Sequence, residues 1–495
     1  MNCWLGIDVG TGGTRAILVS HEGKIVSAFT SPHEDMIMER PLWAEQRPEN
    51  WWDAAQKAVR GALSQAKLSG GDIRGVGLSG QMHGLVMLDA QNRVIRPALI
   101  WCDQRSQKQV DAINESVGRD TVLACIANPM LTGFTLPKLL WVRDNEPEHF
   151  DRVRKILLPK DYIRFRLTGE CASEVSDASG TALFDVVNRR WSLEMAQRVG
   201  IPESFLPAMF ESSRISGKIS RSAAEATGLA DGTPVVGGGG DQAASAVGNG
   251  IVEPGKLSCT LGTSGVVFAF MHSPEYDTLG RVHTFCHAVE GAWHVMGVTQ
   301  GAGLSLQWFR NNLAPGTDYE KLTEEAATAP AGSQGLYWLP YLMGERTPHL
   351  DATARGGWIG LTAKHRRADL IRSLLEGVSY SQKDALDIIE GMGVKVESIR
   401  LSGGGARSPF WQQMMADVFG KPVSVLENQE GSAYGAALLA MVGTGDYASV
   451  RDVCKAVIRE VRTFEPRAQE QQLYAEGHRV YQRLYPATAG AIRSQ

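Results

Sequence analysis

The segment from Asp8 to Arg15 places a carboxylate at the end of an apolar stretch and follows it with a turn of small residues. It reads Asp8-Val9-Gly10-Thr11-Gly12-Gly13-Thr14-Arg15. Successive backbone N–H groups in such a turn form an anion-binding nest, and a carboxylate beside it can hold Mg²⁺ directly or through water. Arg15 could pair with phosphate. The segment therefore favours a nucleotide phosphate with Mg²⁺, and an ordinary hairpin turn with a solvated Asp8 is the alternative.

Two further glycine turns have the dimensions of a phosphate site. Gly262-Thr263-Ser264-Gly265 joins two apolar segments, and a plain hairpin is again the alternative. Gly403-Gly404-Gly405 follows the apolar run SIRLS and precedes a helix predicted from Pro409. A strand, a glycine turn and a helix bring the backbone close to a phosphate or a flat ligand. Three glycines exceed what a tight connection needs, so this pattern favours a ligand site.

A general base is predicted at Asp241. It follows Pro234-Val235-Val236 and four successive glycines, and Gln242 comes next. Such a glycine run is typical of a flexible hinge or of a backbone that a ligand approaches closely. A carboxylate in a glycine-lined cleft can accept the proton of a substrate hydroxyl, and the amide of Gln242 could bond the same substrate.

The loop Ser79–Gly84 holds a second candidate for substrate binding. His83 in this loop could bond a polyol, although a structural histidine is the alternative. The run His283-Thr284-Phe285-Cys286-His287 offers metal ligand types without a second cluster, so strand alternation explains it better than zinc. The sequence has no G-x-S-x-G elbow of the required pattern, which disfavours a nucleophilic triad.

The elements that must position these residues follow an α/β pattern. Three apolar segments predict a strand meander over the first thirty residues, and a second meander follows from Leu257. A helix is predicted from Pro48 to about Lys67, with Pro48 at its first position and apolar residues at helical spacing. The G-T-x-G turn at Gly10 recurs at Gly262, about half the chain later. This repeat indicates two related α/β domains, with chance as the alternative.

Composition limits the classes of function. The chain has 495 residues, of which 43% are hydrophobic and 21% charged, so it can bury large cores. This length predicts more than one domain. The formal net charge of −4 gives no general attraction to nucleic acid or to an anionic membrane. The sequence also lacks an apolar run long enough to span a bilayer.

The seven cysteines argue for a reducing compartment. They stand at positions 3, 102, 125, 171, 259, 286 and 454, an odd number without paired spacing. The opening residues MNCWLGIDVG have no basic region of the kind that begins a secretory signal. We therefore expect a cytoplasmic protein.

These glycine turns, in this order, resemble the sugar kinases of the FGGY family, within the actin/hexokinase/Hsp70 superfamily. Two longer segments carry the resemblance: Gly133–Asn145, and Gly356–Leu361 with the downstream Asp369-Leu370 and Ser373–Glu376. Leu157–Tyr162 is similar to another recurrent segment of the family. The resemblance extends from about residue 4 to 440.

The resemblance implies an α/β fold of two ribonuclease-H-like domains that flank a catalytic cleft. Residues 1–245 would form the sugar-binding domain and residues 246–495 the nucleotide-binding domain. The polar tail from about Glu465 predicts a final helix, and the resemblance leaves open that this helix packs back on the first domain.

The loops indicate a substrate. Gln81–Gly84, Tyr341–His349 and Trp43–Gln46 are similar to those of family members that act on D-xylulose, whereas glycerol kinases carry Arg-Glu where Met82-His83 stand. The resemblance therefore implies ATP-dependent phosphorylation of D-xylulose to its 5-phosphate. A kinase for another ketopentose or a polyol (ribulose or glycerol) is the alternative, and an ATP-switched binding protein is a more distant one. The resemblance also allows a homodimer.

The resemblance assigns a role to each candidate site residue. Asp241 would be the proton acceptor, and Met82, His83 and Gln242 would contact the sugar with it. Asp8 would serve the Mg-ATP chemistry, and Asp8 and Asp241 are the candidate Mg²⁺ ligands. The candidate ATP contacts are Thr11, Gly12, Gly13, Arg15, Thr263, Gly303, Gln307, Gly404 and Gly405. Two positions depart from many relatives: Gly12 replaces a Ser or Thr, and Gln242 stands where some xylulose-specific members have Asn.

Overall fold

The computed structural model describes residues 2–492 and contains two seven-stranded mixed sheets, each covered by helices. In spatial order the first sheet has the strands Ile215–Lys218, Pro234–Val236, Ile73–Gly80, Cys3–Val9, Gly13–Ser20 and Ile25–Pro32, with Gly239–Gly240 also beside Ile73–Gly80. The second has His283–Cys286, Trp293–Thr299, Gly265–Met271, Gly255–Leu261, Val396–Ser402, Val423–Leu426 and Glu460–Phe464.

The two sheets share a central arrangement. Cys3–Val9 pairs antiparallel with the strand that follows it and parallel with Ile73–Gly80. Gly255–Leu261 likewise pairs antiparallel with its successor and parallel with Val396–Ser402. The repeated G-T-x-G turn therefore joins equivalent strands of two similar sheets, and the prediction of two related α/β domains is confirmed.

Helices and short hairpins complete both halves. The helices among residues 2–250 are Pro48–Ala66, Gln107–Val117, Arg119–Ile126, Thr135–Asn145, Pro147–Phe150, Pro159–Thr168, Val175–Ala178, Leu193–Val199, Arg221–Thr227 and Asp241–Gly248. Those among residues 251–492 are Ala302–Leu313, Tyr319–Ala327, Arg367–Gly391, Pro409–Phe419, Gly431–Gly443, Val450–Val457 and Ala468–Ile492. The two-stranded pairs are Glu45–Gln46 with Ala98–Leu99, Val86–Leu88 with Lys155–Leu157, Ala172–Glu174 with Ala208–Phe210, Phe184–Asp185 with Arg190–Trp191, and Tyr337–Leu339 with Gly357–Ile359. None of the helices in residues 2–492 is both long and apolar enough to cross a membrane.

The helix Pro48–Ala66 shows how local sequence sets an element. Pro48 occupies the first turn, where its missing N–H costs nothing, and Lys67 ends the helix with a left-handed backbone (φ 54°). The predicted apolar face, which includes Trp51, Val59 and Leu63, is buried. This helix covers the strands Gly13–Ser20 and Ile25–Pro32, so it supports the face of the sheet beside the Gly10 turn.

The four glycines before Asp241 are buried in the first sheet. Gly239 and Gly240 form a short strand that pairs with Ser79 and Gly80. Gly238 has a φ of +80°, and a Cβ there would lie 2.1 Å from the carbonyl oxygen of Leu78. Close packing against the neighbouring strand, rather than a loose hinge, accounts for this glycine run.

A helix from the second half of the chain packs on the first sheet. Gly431–Gly443 lies against Cys3–Val9 and Ile73–Gly80 and against the helix Asp241–Gly248. A Cβ on Gly6 would lie 1.9 Å from the carbonyl oxygen of Ala433. The backbones therefore touch, and the small residues of this helix are required by the contact.

The final helix, Ala468–Ile492, packs on the second half. Tyr474, His478 and Tyr481 bond Glu376, Asp384 and Tyr341 respectively. The structure thus corrects the option that the last helix packs back on the first domain. The final helix packs against the helices Arg367–Gly391 and Pro409–Phe419. The helix of the second half that packs on the first sheet is the earlier one, Gly431–Gly443.

Substituting Gly435 tests that contact. A Cβ at this position would lie 1.8 Å from the carbonyl oxygen of Ala244, so Gly435→Ala should lower the free energy of unfolding by about 2 kcal/mol or more through overpacking. Gly391→Ala is the control, because its Cβ would meet no atom within 4 Å. Urea unfolding measures both, and an unchanged midpoint for Gly435→Ala would contradict the close contact.

Candidate active site

The carboxyl ends of three parallel strands meet at one edge of the first sheet. Asp8 pairs in register with Ser79, and Ser79 pairs with Gly239. The Gly10 turn, the loop from Gln81 and Asp241 therefore emerge side by side. This edge holds Asp8, Thr11, Gly12, Gly13, Met82, His83, Asp241 and Gln242.

A polar network holds the Gly10 turn. The indole of Trp101 donates to Thr11 Oγ1 (2.9 Å), and Gln46 Nε2 donates to the Thr11 carbonyl (2.8 Å). Gln81 Nε2 donates in turn to Gln46 Oε1 (3.0 Å). Gly12 is exposed, and a Cβ there would meet nothing within 4 Å. Hydrogen bonds to Thr11 thus hold the turn in place, while Gly12 is open to solvent, as an anion-binding nest requires.

Arg15 has a protein partner in this structure. Its guanidinium forms an ion pair with Glu430, with a Nε–Oε2 distance of 2.6 Å, and donates to Thr30 Oγ1. Glu430 lies directly before the helix Gly431–Gly443. Arg15 therefore joins the first sheet to the second half of the chain, and its contact with phosphate stays a prediction.

Asp8 and Asp241 form the acidic centre of this edge. Ser432 Oγ lies 3.5 Å from Asp8 Oδ2, whereas Asp8 Oδ1 is buried without a hydrogen bond of regular geometry among the described residues. Burial raises the pKa of Asp8. Burial also raises the pKa of Asp241 to about 7, and the negative charge of Asp8 adds to that rise while Gln242 opposes it. Repulsion between the carboxylates favours a cation here.

A buried acidic cluster lies beneath Asp241. Lys160 Nζ is 2.5 Å from Asp161 Oδ1 and 3.7 Å from oxygens of both Glu174 and Asp177. Both carboxylate oxygens of Asp177 are buried without a hydrogen bond partner in residues 2–492. Burial raises the pKa of Asp177 well above its usual value, and Asp241 is among the charges that add to the rise. Lys160 is the cation shared by these three carboxyl groups, and burial raises the pKa of Glu174 as well.

Met82 and His83 lie beside Asp241 in the predicted substrate loop. Met82 is buried, and its Sδ would be 3.1 Å from a Cβ on Gly240. The Nδ1 of His83 bonds the carbonyl oxygen of Gly180 (2.8 Å), which leaves Nε2 as a hydrogen bond acceptor. Burial lowers the pKa of His83 to about 3, so its ring is neutral at physiological pH. A neutral imidazole beside a carboxylate suits a polyhydroxylated ligand.

Aromatic side chains from both halves of the chain lie next to His83. Phe134 lies 5.0 Å from the His83 ring and Phe285 lies 6.2 Å away, between ring centroids. His283 stacks on Phe285 with an interplanar angle of 6°. The alternation of residues from His283 to His287 predicts structural side chains rather than zinc ligands. No group of three or more His, Cys, Asp or Glu side chains arranged for a metal occurs among residues 2–492.

Lys138 holds the substrate loop in place. Its Nζ donates to the carbonyl oxygens of His83 (3.0 Å) and Gly133 (2.5 Å), and Thr135 Oγ1 also donates to the His83 carbonyl. His83 needs this support because its φ is +67°, a strained value for a side chain other than glycine. Burial lowers the pKa of Lys138 to about 7.

The remaining candidates gather at the matching edge of the second sheet. The strands before Gly262 and Gly403 are parallel neighbours, and Thr260 Oγ1 lies 2.9 Å from Ser402 Oγ. The N–H of Gly303 donates to the carbonyl of Gly262 (2.7 Å), so the helix Ala302–Leu313 begins against this turn. The predicted nucleotide residues at this edge are Thr263, Gly303, Gln307, Gly404 and Gly405.

Glycine is required at Gly303 and at Gly403, which directly precedes Gly404. A Cβ on Gly303 would lie 2.4 Å from the Gly262 carbonyl oxygen. Gly403 has a φ of +85°, whereas Gly404 faces open space and is exposed. Thr263 and Gln307 are also exposed. This edge is therefore shaped by close backbone contacts and is open where a nucleotide is predicted.

Sequence reasoning missed several residues of the site. Ser432, Glu430 and Phe285 come from the second half, and no local motif marks them as neighbours of Asp8 or His83. Asp177 was also missed, because a buried acidic side chain gives no signal in a single sequence. The small residues of Gly431–Gly443 were the available signal for a helix in close backbone contact.

Two similar mixed sheets, each with candidate residues at the carboxyl ends of its parallel strands, form the fold of a two-domain sugar kinase, and the comparisons agree. Residues 3–248 match the N-terminal domain of the FGGY family of carbohydrate kinases, and residues 257–444 match its C-terminal domain. The chain belongs to the FGGY family of carbohydrate kinases.

Individual relatives cover nearly the whole chain. It is 40% identical to a xylulose kinase of Bacillus subtilis strain 168, over 98% of this chain and 97% of the relative. It is 40% identical to a xylulose kinase of Escherichia coli K12, over 97% and 98% respectively. A crystal structure of a xyloylose kinase from Brucella ovis superposes with a TM-score of 0.92 at 37% identity, covering 99% of this chain and 100% of that one.

The residues present fit the divalent metal that kinases of this family generally use with ATP. Mg²⁺ in kinases takes one or two carboxylates together with phosphate oxygens and water. Asp8 offers a buried oxygen without a regular hydrogen bond, and Asp241 offers a second carboxylate at the same edge. This oxygen donor set suits a hard cation.

Removing the lysine that supports His83 tests this geometry. Lys138→Met should raise the KM for the carbohydrate about tenfold or more, because the strained loop loses its anchor, while the KM for ATP stays within about threefold. Lys155→Met is the control, since that lysine donates to the carbonyl of Leu206, outside this loop. Steady-state kinetics measures both constants, and equal changes in the two KM values would contradict a local role.

Proposed function

We propose that the protein transfers the γ-phosphoryl group of ATP to D-xylulose and forms D-xylulose 5-phosphate. The observation that carries the proposal is the arrangement of Asp241 beside the Met82-His83 loop and the Gly10 turn at one edge of the first sheet. The full-length similarity to xylulose kinases supports the choice of sugar. Another ketopentose or a polyol is the alternative substrate.

Each half of the chain would bind one substrate. We assign the sugar to residues 1–245, through Met82, His83 and Gln242, and the nucleotide to residues 246–495. Thr263 would meet the terminal phosphates, Gly303 and Gln307 would lie along the nucleotide, and Gly404 and Gly405 would face the adenosine. Thr11, Gly12, Gly13 and Arg15 would contact phosphate from the side of the first sheet.

Asp241 would accept the proton in the reaction. As the C5 hydroxyl oxygen attacks the γ-phosphorus, its proton passes to the Asp241 carboxylate, and ADP leaves with the electron pair of the broken P–O bond. His83 Nε2 would accept a hydrogen bond from a sugar hydroxyl and orient the ketose. Positioning supplies most of the rate enhancement in such reactions.

Asp8 and Asp241 are the residues that would hold the divalent metal of the nucleotide. When bound, Mg²⁺ would offset the charge on the phosphate oxygens, held by Asp8 with Asp241 as the second carboxylate, directly or through water. Its charge would also favour the ionised form of Asp241 that accepts the proton. We further propose a cytoplasmic enzyme that can form a homodimer.

An ADP-release assay over ketopentoses, polyols and no sugar tests the function. D-xylulose with Mg²⁺ and ATP should give the highest kcat/KM, and Asp241→Asn should lower kcat by about 10²–10⁴ while ATP still binds. Asp231→Asn, an exposed aspartate of the first half, is the control and should be fully active. Preference for ribulose or glycerol would point to the alternative substrates, and ADP release indifferent to sugar would favour an ATP-switched protein.

The rate should depend on pH through Asp241. With both substrates far below saturation, kcat/KM should fall about tenfold per unit as pH drops below the Asp241 pKa of about 7, because the protonated carboxyl cannot accept a proton. In Asp8→Asn the acidic limb of any residual activity should move to lower pH, since the neighbouring charge is gone. A flat profile between about pH 6 and 8 would contradict this assignment of the base.

A further inference from the structure

The loop Glu345–Pro348 is fastened to the phosphate edge of the second sheet. Thr347 donates its N–H to the carbonyl of Val298 (2.9 Å), and the N–H of Gln300 donates to Glu345 Oε1 (2.8 Å). Both contacts lie at the end of the strand Trp293–Thr299, whose last residue, Thr299, pairs with Gly265. Gly265 closes the Gly262 turn, so residue 346 is held close to the predicted site of the terminal phosphates.

Arg346 in this loop has an acidic neighbour, Glu345, whose charge acts on it without forming an ion pair. Its side chain forms no hydrogen bond or ion pair with any residue of the described chain, 2–492, although other poorly exposed arginines such as Arg372 and Arg105 are paired. The adjacent Glu345 directs Oε1 to backbone N–H groups, and its Oε2 has no hydrogen bond partner within residues 2–492. Burying a cation without an ion pair costs free energy. We therefore expect this guanidinium to bind an anionic ligand.

The charge of Arg346 acts on the sugar pocket. It lowers the pKa of His83, as does Lys138, both after the larger effect of burial. It also lowers the pKa of His283 next to burial. These two rings come from different halves of the chain, and Arg346 is the cation that affects both. The charge of Arg346 therefore reaches the histidine that is proposed to orient the sugar, while the loop of Arg346 is bonded to the strand end beside the Gly262 turn.

We propose that Arg346 binds the phosphoryl group during its transfer and then holds the phosphate of the product. This inference rests on the proposed function and adds a catalytic residue to it. As the bond from the C5 oxygen to phosphorus forms and the bond to the ADP oxygen breaks, the guanidinium N–H groups bond the equatorial phosphoryl oxygens. The hydroxyl proton goes to Asp241 and the electron pair leaves with ADP, so Arg346 exchanges no proton. A fixed guanidinium is suited to this planar, charged group.

Kinetics of three variants tests this role. Arg346→Gln and Arg346→Ala should lower kcat by roughly 10³-fold, while the KM for D-xylulose changes less than about threefold, because the cation acts on the phosphoryl group. Arg346→Lys should recover part of kcat, since it restores a point charge without the planar fork. Arg281→Met is the control: its side chain pairs with Asp277 outside the pocket, and its kcat should match the wild type.

Two further measurements separate a catalytic role from a structural one. Added guanidinium should restore part of the activity of Arg346→Ala, and the dissociation constant of D-xylulose 5-phosphate should rise about tenfold or more while that of D-xylulose is unchanged. An unchanged kcat in all three variants would overturn the inference. So would a higher KM for D-xylulose alone, which would make Arg346 a sugar contact. If the wild type phosphorylates no sugar in the panel, the proposed function has failed instead.

Discussion

The contact between the helix Gly431–Gly443 and the first sheet determines how the rest of the site is assembled. Glycine and alanine backbones meet at a distance that leaves no room for a Cβ on Gly6 or Gly77. Because this helix comes from the second half, its start brings Ser432 to Asp8 and Glu430 to Arg15. A helix N-terminus carries partial positive charge, which favours the carboxylate of Asp8 and any phosphate beside it. The packing that joins the halves therefore also completes the surroundings of Asp8 and Arg15.

Electrostatics would couple the proposed base, Asp241, to the ligand that binds beside it. Asp241 lies next to Asp8, whose negative charge acts on it. The buried cluster in which Lys160 pairs with three carboxyl groups is also nearby. Burial, with the negative charge of Asp8 as a smaller contribution, raises the pKa of Asp241 to about 7, so both protonation states are populated at neutral pH. Arrival of a divalent cation with nucleotide would shift it to the ionised form. The base would then be most effective when the phosphoryl donor is present, which disfavours proton transfer in the empty cleft.

The parts of the fold that depend on local pattern were predictable. The strand meanders, the helix from Pro48 and the helix from Pro409 follow from periodicity and turn residues, and the structure has them at those places. The resemblance supplied the site residues on both sheet edges. Contacts between distant segments could not be predicted from local pattern. The final helix has an amphipathic face, but nothing in its sequence indicates which half it packs against. Its polar partners Asp384 and Glu376 are distant in sequence. For the same reason the ion pair of Arg15, the support of His83 by Lys138 and the unpaired state of Arg346 needed the structure.

The surroundings of His83 combine neutral rings with the cation Arg346, and this combination would keep the sugar and ATP at separate positions. Burial lowers the pKa of His83 to about 3, so its neutral ring can bond a hydroxyl without attracting phosphate. Among the described residues whose positive charge acts on His83, Lys138 is turned to backbone carbonyls, and Arg346 has no protein partner. A sugar would therefore bind beside His83, while the triphosphate would stay on the side of the glycine turns. Charge placement, as much as shape, would keep ATP from occupying the position of the sugar.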